Sequence, residues 1–175
     1  MFHDPRTTPA DFRRAEGDAL DAPYLRALAE LAESRGDLRF TPGGGVLFDS
    51  PMRREERAAL PPVTRAAPRF LDLPGDGFRR ALARDAGFAA FARDFTVAHR
   101  RAGYRLVVIP LAGRLSPDQL RAIADAAEIY GHGTIRLTAD VSIRLPNVPE
   151  ALLHPLYRHL QRAGLSGQKP HDLAA

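Results

Sequence analysis

The chain has 175 residues and not one cysteine. That absence excludes disulfides, and it excludes any zinc or iron–sulfur site held by thiolates of this sequence. Lysine is nearly absent as well: Lys169 is the only one, so almost every cation is an arginine. No apolar run reaches the roughly 18 residues of a membrane span. The start, Met1-Phe-His-Asp-Pro5, lacks a basic stretch followed by an apolar one, so no signal peptide is expected and a cytoplasmic location is. Metal motifs are missing too. His154 and His159 are spaced so that they do not share a helical face, and there is no His-Glu-x-x-His. Gly43-Gly-Gly45 follows a strand-like stretch, yet it lacks both the Lys-Ser/Thr ending of a phosphate loop and the dinucleotide glycine spacing.

What is present reads as a globular chain. Hydrophobic residues make up 45% and charged residues 26%, a balance that suits one domain or two small half-domains around a real core. The net charge of +4 rests on arginines, which hold carboxylates in a planar, bidentate way and stay charged when partly buried. Two readings of that charge stand side by side: a surface for anionic groups, and solvated helix faces. Nucleic acid is not the expected partner, because the basic residues are dispersed and few aromatics fall on strand-like segments.

The sequence also repeats itself. Tyr24-Leu-Arg-Ala-Leu-Ala-Glu-Leu-Ala-Glu-Ser-Arg-Gly36 leads into Asp37-Leu-Arg-Phe-Thr41, and Gln119-Leu-Arg-Ala-Ile-Ala-Asp-Ala-Ala-Glu-Ile-Tyr-Gly131 leads into Thr134-Ile-Arg-Leu-Thr138. Leu25, Arg26, Ala27, Ala29, Ala32, Glu33 and Gly36 match Leu120, Arg121, Ala122, Ala124, Ala127, Glu128 and Gly131. After a two-residue shift, Arg39 and Thr41 match Arg136 and Thr138. A helix feeding a strand with Arg-x-Thr is therefore written twice, the pattern of a duplicated unit whose copies face one site.

Local signals place the elements. Residues 1–21, with Pro5, Pro9 and Gly17, are expected to be loosely ordered, and 166–175 to form a frayed tail. Asp21 and Pro23 open a helix that Gly36 stops. Leu38–Thr41 and Val46–Phe48 read as strand pieces, and Arg53–Leu60 as a short helix. Residues 61–77, broken by several prolines, read as an irregular connector that completes a segment 22–77. Phe78–Phe95 has helical spacing interrupted at Gly87. Tyr104-Arg-Leu-Val-Val-Ile109 is the clearest strand. Ser116-Pro117 starts a helix that Gly131-His-Gly133 closes. Thr134–Thr138 and Ser142–Leu145 alternate like strands, and Pro149 and Glu150 open a last helix that is expected to start or kink at Pro155. Over 78–165 this gives an α+β arrangement of the split βαβ, ferredoxin-like kind.

Residues 88–165 resemble a known family in Gly87-Phe-Ala-Ala-Phe91, His99-Arg-Arg-Ala-Gly-Tyr104, the run Ile109–Gly131, Ile135-Arg-Leu-Thr138 and Leu156–Leu165. These stretches resemble the ferredoxin-like half-domain of nitrite and sulfite reductases, with residues 24–50 as a degenerate second copy. The resemblance implies half-domains paired about a pseudo-twofold axis that help to enclose a sirohaem coupled to a [4Fe–4S] cluster. It implies cofactor-binding roles for Arg39, Thr41, Arg136 and Thr138, and for the basic segment Arg100 and Arg101. Sirohaem is a polycarboxylate, so guanidinium and hydroxyl donors on rigid strands suit it. In the family the cysteines that hold the cluster and the proximal haem ligand belong to a further domain. No residue type in this sequence replaces them, so no iron–sulfur cluster is expected to be ligated by this chain alone. The expected role is a non-catalytic or partner-dependent part of a reductase system, working with a cysteine-bearing subunit or by self-association about the pseudo-twofold. The alternative is a tetrapyrrole-binding or protein-interaction module that has lost redox activity. Where the family strand continues into a charged residue and Gln, this chain has Asp140 and Val141 in one copy and Gly43 and Gly44 in the other. Asp140 would repel a polycarboxylate unless it is paired.

Overall fold

A computed structural model of the chain describes residues 19–41, 46–48, 50–64, 67–111, 113–138 and 140–167. Most of the N-terminal segment expected to be loose, the triple glycine and the end of the tail lie outside the described residues. The elements in chain order are β1 Ala19–Leu20, α1 Ala22–Arg35, β2 Leu38–Phe40, β3 Val46–Leu47, α2 Arg54–Ala59, α3 Asp76–Arg84, α4 Ala86–Asp94, β4 Thr96–Ala98, β5 Tyr104–Pro110, β6 Arg114–Leu115, α5 Pro117–Tyr130, β7 Ile135–Thr138, β8 Ser142–Pro149 and α6 Glu150–Arg162.

The two principal helices start and stop through the chemistry their ends require. Asp21, in extended backbone, accepts the Tyr24 N–H at 2.9 Å, which satisfies an N-terminal donor of α1. Ser116 does the same for α5, accepting from Gln119 N–H while the Gln119 side chain accepts from Ser116 N–H in a capping box. Each helix ends on a glycine whose N–H reaches back to an alanine carbonyl: Gly36 to Ala32 and Gly131 to Ala127, both at 2.9 Å. Leu25, Leu28, Ala29 and Ala32 are buried on α1, as are Leu120, Ile123, Ala124 and Ala127 on α5. The helices pack on each other, and their small buried residues permit a close approach.

The strands form two sheets. The larger runs in the order β1-β7-β8-β5-β4 and the smaller in the order β3-β2-β6, with antiparallel neighbours throughout. Because β5 and β7 are each antiparallel to β8 between them, β5 and β7 run parallel, with α5 connecting them. That is the split βαβ arrangement, and the fold is α+β and ferredoxin-like. Val107, Ile109, Ile135, Leu137, Ile143 and Leu145 fill the buried side of the large sheet against the helices.

The strand registers cross between the two similar segments. Leu20 of β1, before α1, pairs with Ile135 of β7, after α5. Leu115 of β6, before α5, pairs with Leu38 of β2, after α1. Arg39 pairs with Leu47 and Phe40 with Val46, while Arg136 pairs with Arg144 and Leu137 with Ile143. Charge repeats the crossing: Arg26 on α1 binds Glu128 on α5 at 2.7 and 2.9 Å, and Arg121 on α5 binds Glu33 on α1.

Several expectations change. Order begins before residue 21: Ala19–Leu20 form a strand, and Leu20 is buried. The helical stretch after 76 breaks at Asp85, not at Gly87, because Asp85 closes α3 and caps α4 by accepting the Phe88 N–H at 2.9 Å. The last helix opens at Pro149 and Glu150, as the sequence indicates, but it does not start afresh at Pro155, which lies inside it. Pro155 offers no N–H to the preceding turn, yet buried Leu153, Leu156, Tyr157 and Leu160 hold the helix on the core. The strand from Ser142 runs on to Pro149. Of the irregular connector, Leu71 is clamped by the Tyr104 hydroxyl, which donates to its carbonyl at 2.8 Å and accepts its N–H at 2.5 Å. Among the described residues no helix is long and apolar enough to cross a membrane.

Candidate functional site

Alternation puts the predicted arginines on the outward faces of the two sheets. Leu38 and Phe40 are buried with Arg39 exposed between them, and Ile135 and Leu137 are buried with Arg136 exposed between them. Neither guanidinium has an ion pair or hydrogen bond with a described residue. Arg39 is flanked in register by Leu47 and Arg114, and Arg136 by Ala19 and Arg144. Each predicted arginine therefore stands directly opposite a second arginine on a neighbouring strand. Like charges in that position oppose one another.

Arg144 differs from Arg136 in its surroundings. Its Nε is buried with no hydrogen-bond partner among the described residues, and its Nη2 lies 3.6 Å from an Asp140 carboxylate oxygen. Asp140 sits in the turn between β7 and β8 and is held by hydroxyls. Thr138 Oγ1 donates to it, and Ser142 Oγ donates to it at 2.8 Å. These contacts, the Thr138 bond first and then Ser142 and the Arg144 charge, hold the Asp140 carboxyl below the usual range against the opposing effect of its partial burial. Thr138 Oγ1 also lies 2.8 Å from Ser142 Oγ and 3.0 Å from the Ser142 carbonyl, so its hydroxyl is taken up by the turn itself. The turn is unusual in its backbone. Val141 has φ of 59°, a left-handed conformation that a β-branched residue rarely adopts. Its N–H binds the Thr138 carbonyl at 3.0 Å, and its carbonyl accepts from Leu111 at 3.1 Å.

The other predicted residues lie on other elements. Thr41 is half-buried just past β2. Arg100 and Arg101 lie exposed in the turn between β4 and β5. Arg101 stacks over the Phe70 ring at 4.7 Å and lies 3.9 Å from Asp72. Tyr104 pairs with Pro149 where Val108 pairs with Arg144. Four residues of strand, about 13 Å, therefore separate that turn from the arginine row. The structure does not bring Arg100 and Arg101 together with Arg136.

Sequence reasoning missed Arg144 and Arg114. Arg144 carried a signal, the polar position of the alternating Ser142-Ile-Arg-Leu145, but its register opposite Arg136 did not show. Arg114 lies in a two-residue strand with no periodicity to read. Among the described residues no group of three His, Cys, Asp or Glu side chains is placed to hold a metal ion.

No curated protein matches the chain. A solved structure of the Mycobacterium tuberculosis NirA protein is similar at 33% identity, over 42% of this chain and 14% of that one, with a TM-score of 0.37. The present chain thus spans a small part of that protein's length. A family model, the nitrite/sulfite reductase ferredoxin-like half domain, matches residues 98–163, the stretch that carries β5, α5, β7, β8 and α6. The split βαβ order of those elements agrees with this match, which makes residues 98–163 similar to a nitrite/sulfite reductase ferredoxin-like half domain.

Proposed function

We propose that the chain is a non-catalytic or partner-dependent part of a cytoplasmic sirohaem reductase system. In this reading the segments 19–47 and 114–149 are duplicated units related by a pseudo-twofold axis. The reading rests on one observation: the matched residues Arg39 and Arg136 stand exposed on outward sheet faces, in corresponding registers and without ion-pair partners among the described residues. The crossed strand pairs and reciprocal Arg–Glu bridges support the pseudo-twofold.

The residues present fit a polycarboxylate macrocycle at those faces. Rigid strands hold Arg39 and Arg136, and a guanidinium offers paired donors to a carboxylate. The iron of a bound sirohaem would supply the electron transfer to nitrite or sulfite. The chain's own arginines would hold and orient the carboxylate rim, and thiolates for a cluster would come from a cysteine-bearing partner. One observation favours the alternative, a tetrapyrrole-binding or protein-interaction module without redox activity: Asp140 places a carboxylate beside Arg144, where a polycarboxylate would lie.

The test is titration of the purified protein with sirohaem, followed by visible absorption, beside an Arg39→Ala/Arg136→Ala variant. A saturable shift is expected, weakened about ten-fold or more in the variant, as loss of charge-assisted hydrogen bonds gives. No shift with folded protein overturns the tetrapyrrole reading.

A further inference from the structure

The outward face around Arg136 and Arg144 holds a donor set and an acceptor that compete for the same contacts. Arg136 has no ion pair among the described residues, and Arg144 stands opposite it in register. Arg144 has a buried Nε with no partner among the described residues, and its Nη2 is within ion-pair distance of Asp140. Asp140 does not drift there on a free side chain. Thr138 and Ser142 both donate hydroxyl hydrogens to its Oδ1, which leaves Oδ2 turned to Arg144 at 3.6 Å. Those two hydroxyls belong to cross-strand partners at the end of the hairpin, so the carboxylate is fixed by the strand register itself.

We infer that Asp140 is a built-in competitor for the Arg136–Arg144 anion site, an internal carboxylate that an incoming carboxylate or oxyanion must displace from Arg144. This deepens the tetrapyrrole reading and rests on it for the identity of the natural ligand, though not for the competition itself. The contact is also incomplete. At 3.6 Å with a single nitrogen it lacks the bidentate geometry of a strong guanidinium–carboxylate pair, and Arg144 and Asp140 side chains are 39% and 60% exposed. Such a pair is weak enough to yield to a better acceptor. An external anion reaching the two arginines would gain a second guanidinium and relieve the opposition between Arg136 and Arg144. The internal carboxylate therefore lowers affinity and selects for ligands with several acidic groups.

The experiment compares the wild-type chain, Asp140→Asn, Arg144→Gln and the double variant with two probes. Asparagine keeps the size and the hydroxyl acceptors of the aspartate and removes its charge. Inorganic sulfate is followed through the arginine Nε–H resonances of ¹⁵N-labelled protein, and uroporphyrin, an iron-free polycarboxylate, through its absorption. The expected result is that Asp140→Asn binds sulfate about three-fold more tightly, the change an exposed ion pair supports. The gain should vanish in the Arg144→Gln background. Unchanged or weaker sulfate binding in Asp140→Asn overturns the inference, and so does a gain that survives Arg144→Gln. If sulfate behaves as expected while uroporphyrin binds none of the proteins, the competition stands and the tetrapyrrole reading falls. If uroporphyrin binds and Asp140→Asn has no effect on either probe, the tetrapyrrole reading stands and the competition falls.

Discussion

The unit β1–α1–β2–β3 and the unit β6–α5–β7–β8 share one register yet end in different surroundings. In the first, β3 is two residues long and closes a three-stranded sheet. In the second, β8 is eight residues long, pairs along β5 as well as β7, and leads directly into α6. The buried alternation is kept in both, Leu38/Phe40 in one and Ile135/Leu137 in the other. The in-register neighbours of the central arginine are not kept: Leu47 and Arg114 in the first, Arg144 and Ala19 in the second. A one-residue slip would turn the buried set to solvent, so the register cannot vary. Outward positions carry no such constraint, and there the two faces diverge in chemistry.

The largest effects should come from the shared core. Leu25 and Leu120 occupy matching positions on α1 and α5, and both are fully buried. Truncating either leaves a cavity that packed helices cannot fill, at a cost of about 2–5 kcal/mol. Chemical denaturation of Leu25→Ala and Leu120→Ala should give losses of similar size and a single transition for each. A Leu25→Ala loss below about 1 kcal/mol would show that the first unit is not part of the common core and would break the comparison.

The glycines that end the two helices sharpen it, because matching positions have different reasons to be glycine. Gly36 has φ of 86° and ψ of 174°, a region open in practice to glycine alone, although a Cβ there would touch nothing. Gly131 has an ordinary φ of −125°, but its Cβ would lie 3.3 Å from the Ala127 carbonyl and 3.7 Å from Leu145 Cβ. Gly36→Ala should therefore cost about 1–3 kcal/mol through backbone strain. Gly131→Ala should cost less, because a shift of a few tenths of an ångström relieves the crowding. The order of the two midpoints in urea decides the matter, and the reverse order would assign the constraint to packing.

Much of this architecture was legible in the sequence where the signal is local. Ser116-Pro117 and Asp21-Pro23 announced helix starts through their caps, and Tyr104–Ile109 announced a strand by composition. The strands β1, β4 and β6 were not legible. Two or three residues carry no period, and they are strands because a distant partner supplies hydrogen bonds. Gly87 read as a break because glycine disfavours helix interiors. It lies in the first turn of α4, where the Tyr157 hydroxyl comes so close that a Cβ would sit 2.6 Å from it, so packing asks for glycine there. Pro155 read as a start or kink in the helix that Pro149 and Glu150 open, because the proline rule is local, whereas the burial of Leu153 and Leu156 that carries the helix through it is tertiary. Of the site, Arg39 and Arg136 followed from the repeated Arg-x-Thr. The facing arginines and the hold of Asp140 on Arg144 required strand pairing, which the sequence does not print. Arg100 and Arg101 were close in motif and separate in space, since a hairpin carries them to the far end of β5.

The smallest expected effect is also the most direct probe of the crossing between the units. Arg26 contacts Glu128 and Asp125, at 2.6 Å for the latter, and Arg121 contacts Glu33 and, at 3.3 Å, Asp118. The hydrogen bond to Glu128, then that to Asp125, raises the Arg26 pKa, and the bond to Glu33 raises that of Arg121, so both arginines stay charged at any working pH. All the side chains involved are exposed by a third or more, which lets water and salt screen the pairs. Double-mutant cycles on Arg26/Glu128 and on Arg121/Glu33 should each return a coupling of about 0.2–1 kcal/mol, smaller at high salt. If the α1–α5 contact is reciprocal in energy as it is in geometry, the two couplings should agree within about 0.5 kcal/mol, the scatter expected of such cycles. A measurable coupling on one side only would mean that the second bridge is decoration, and that helix packing through the buried alanines, not charge, aligns the two units.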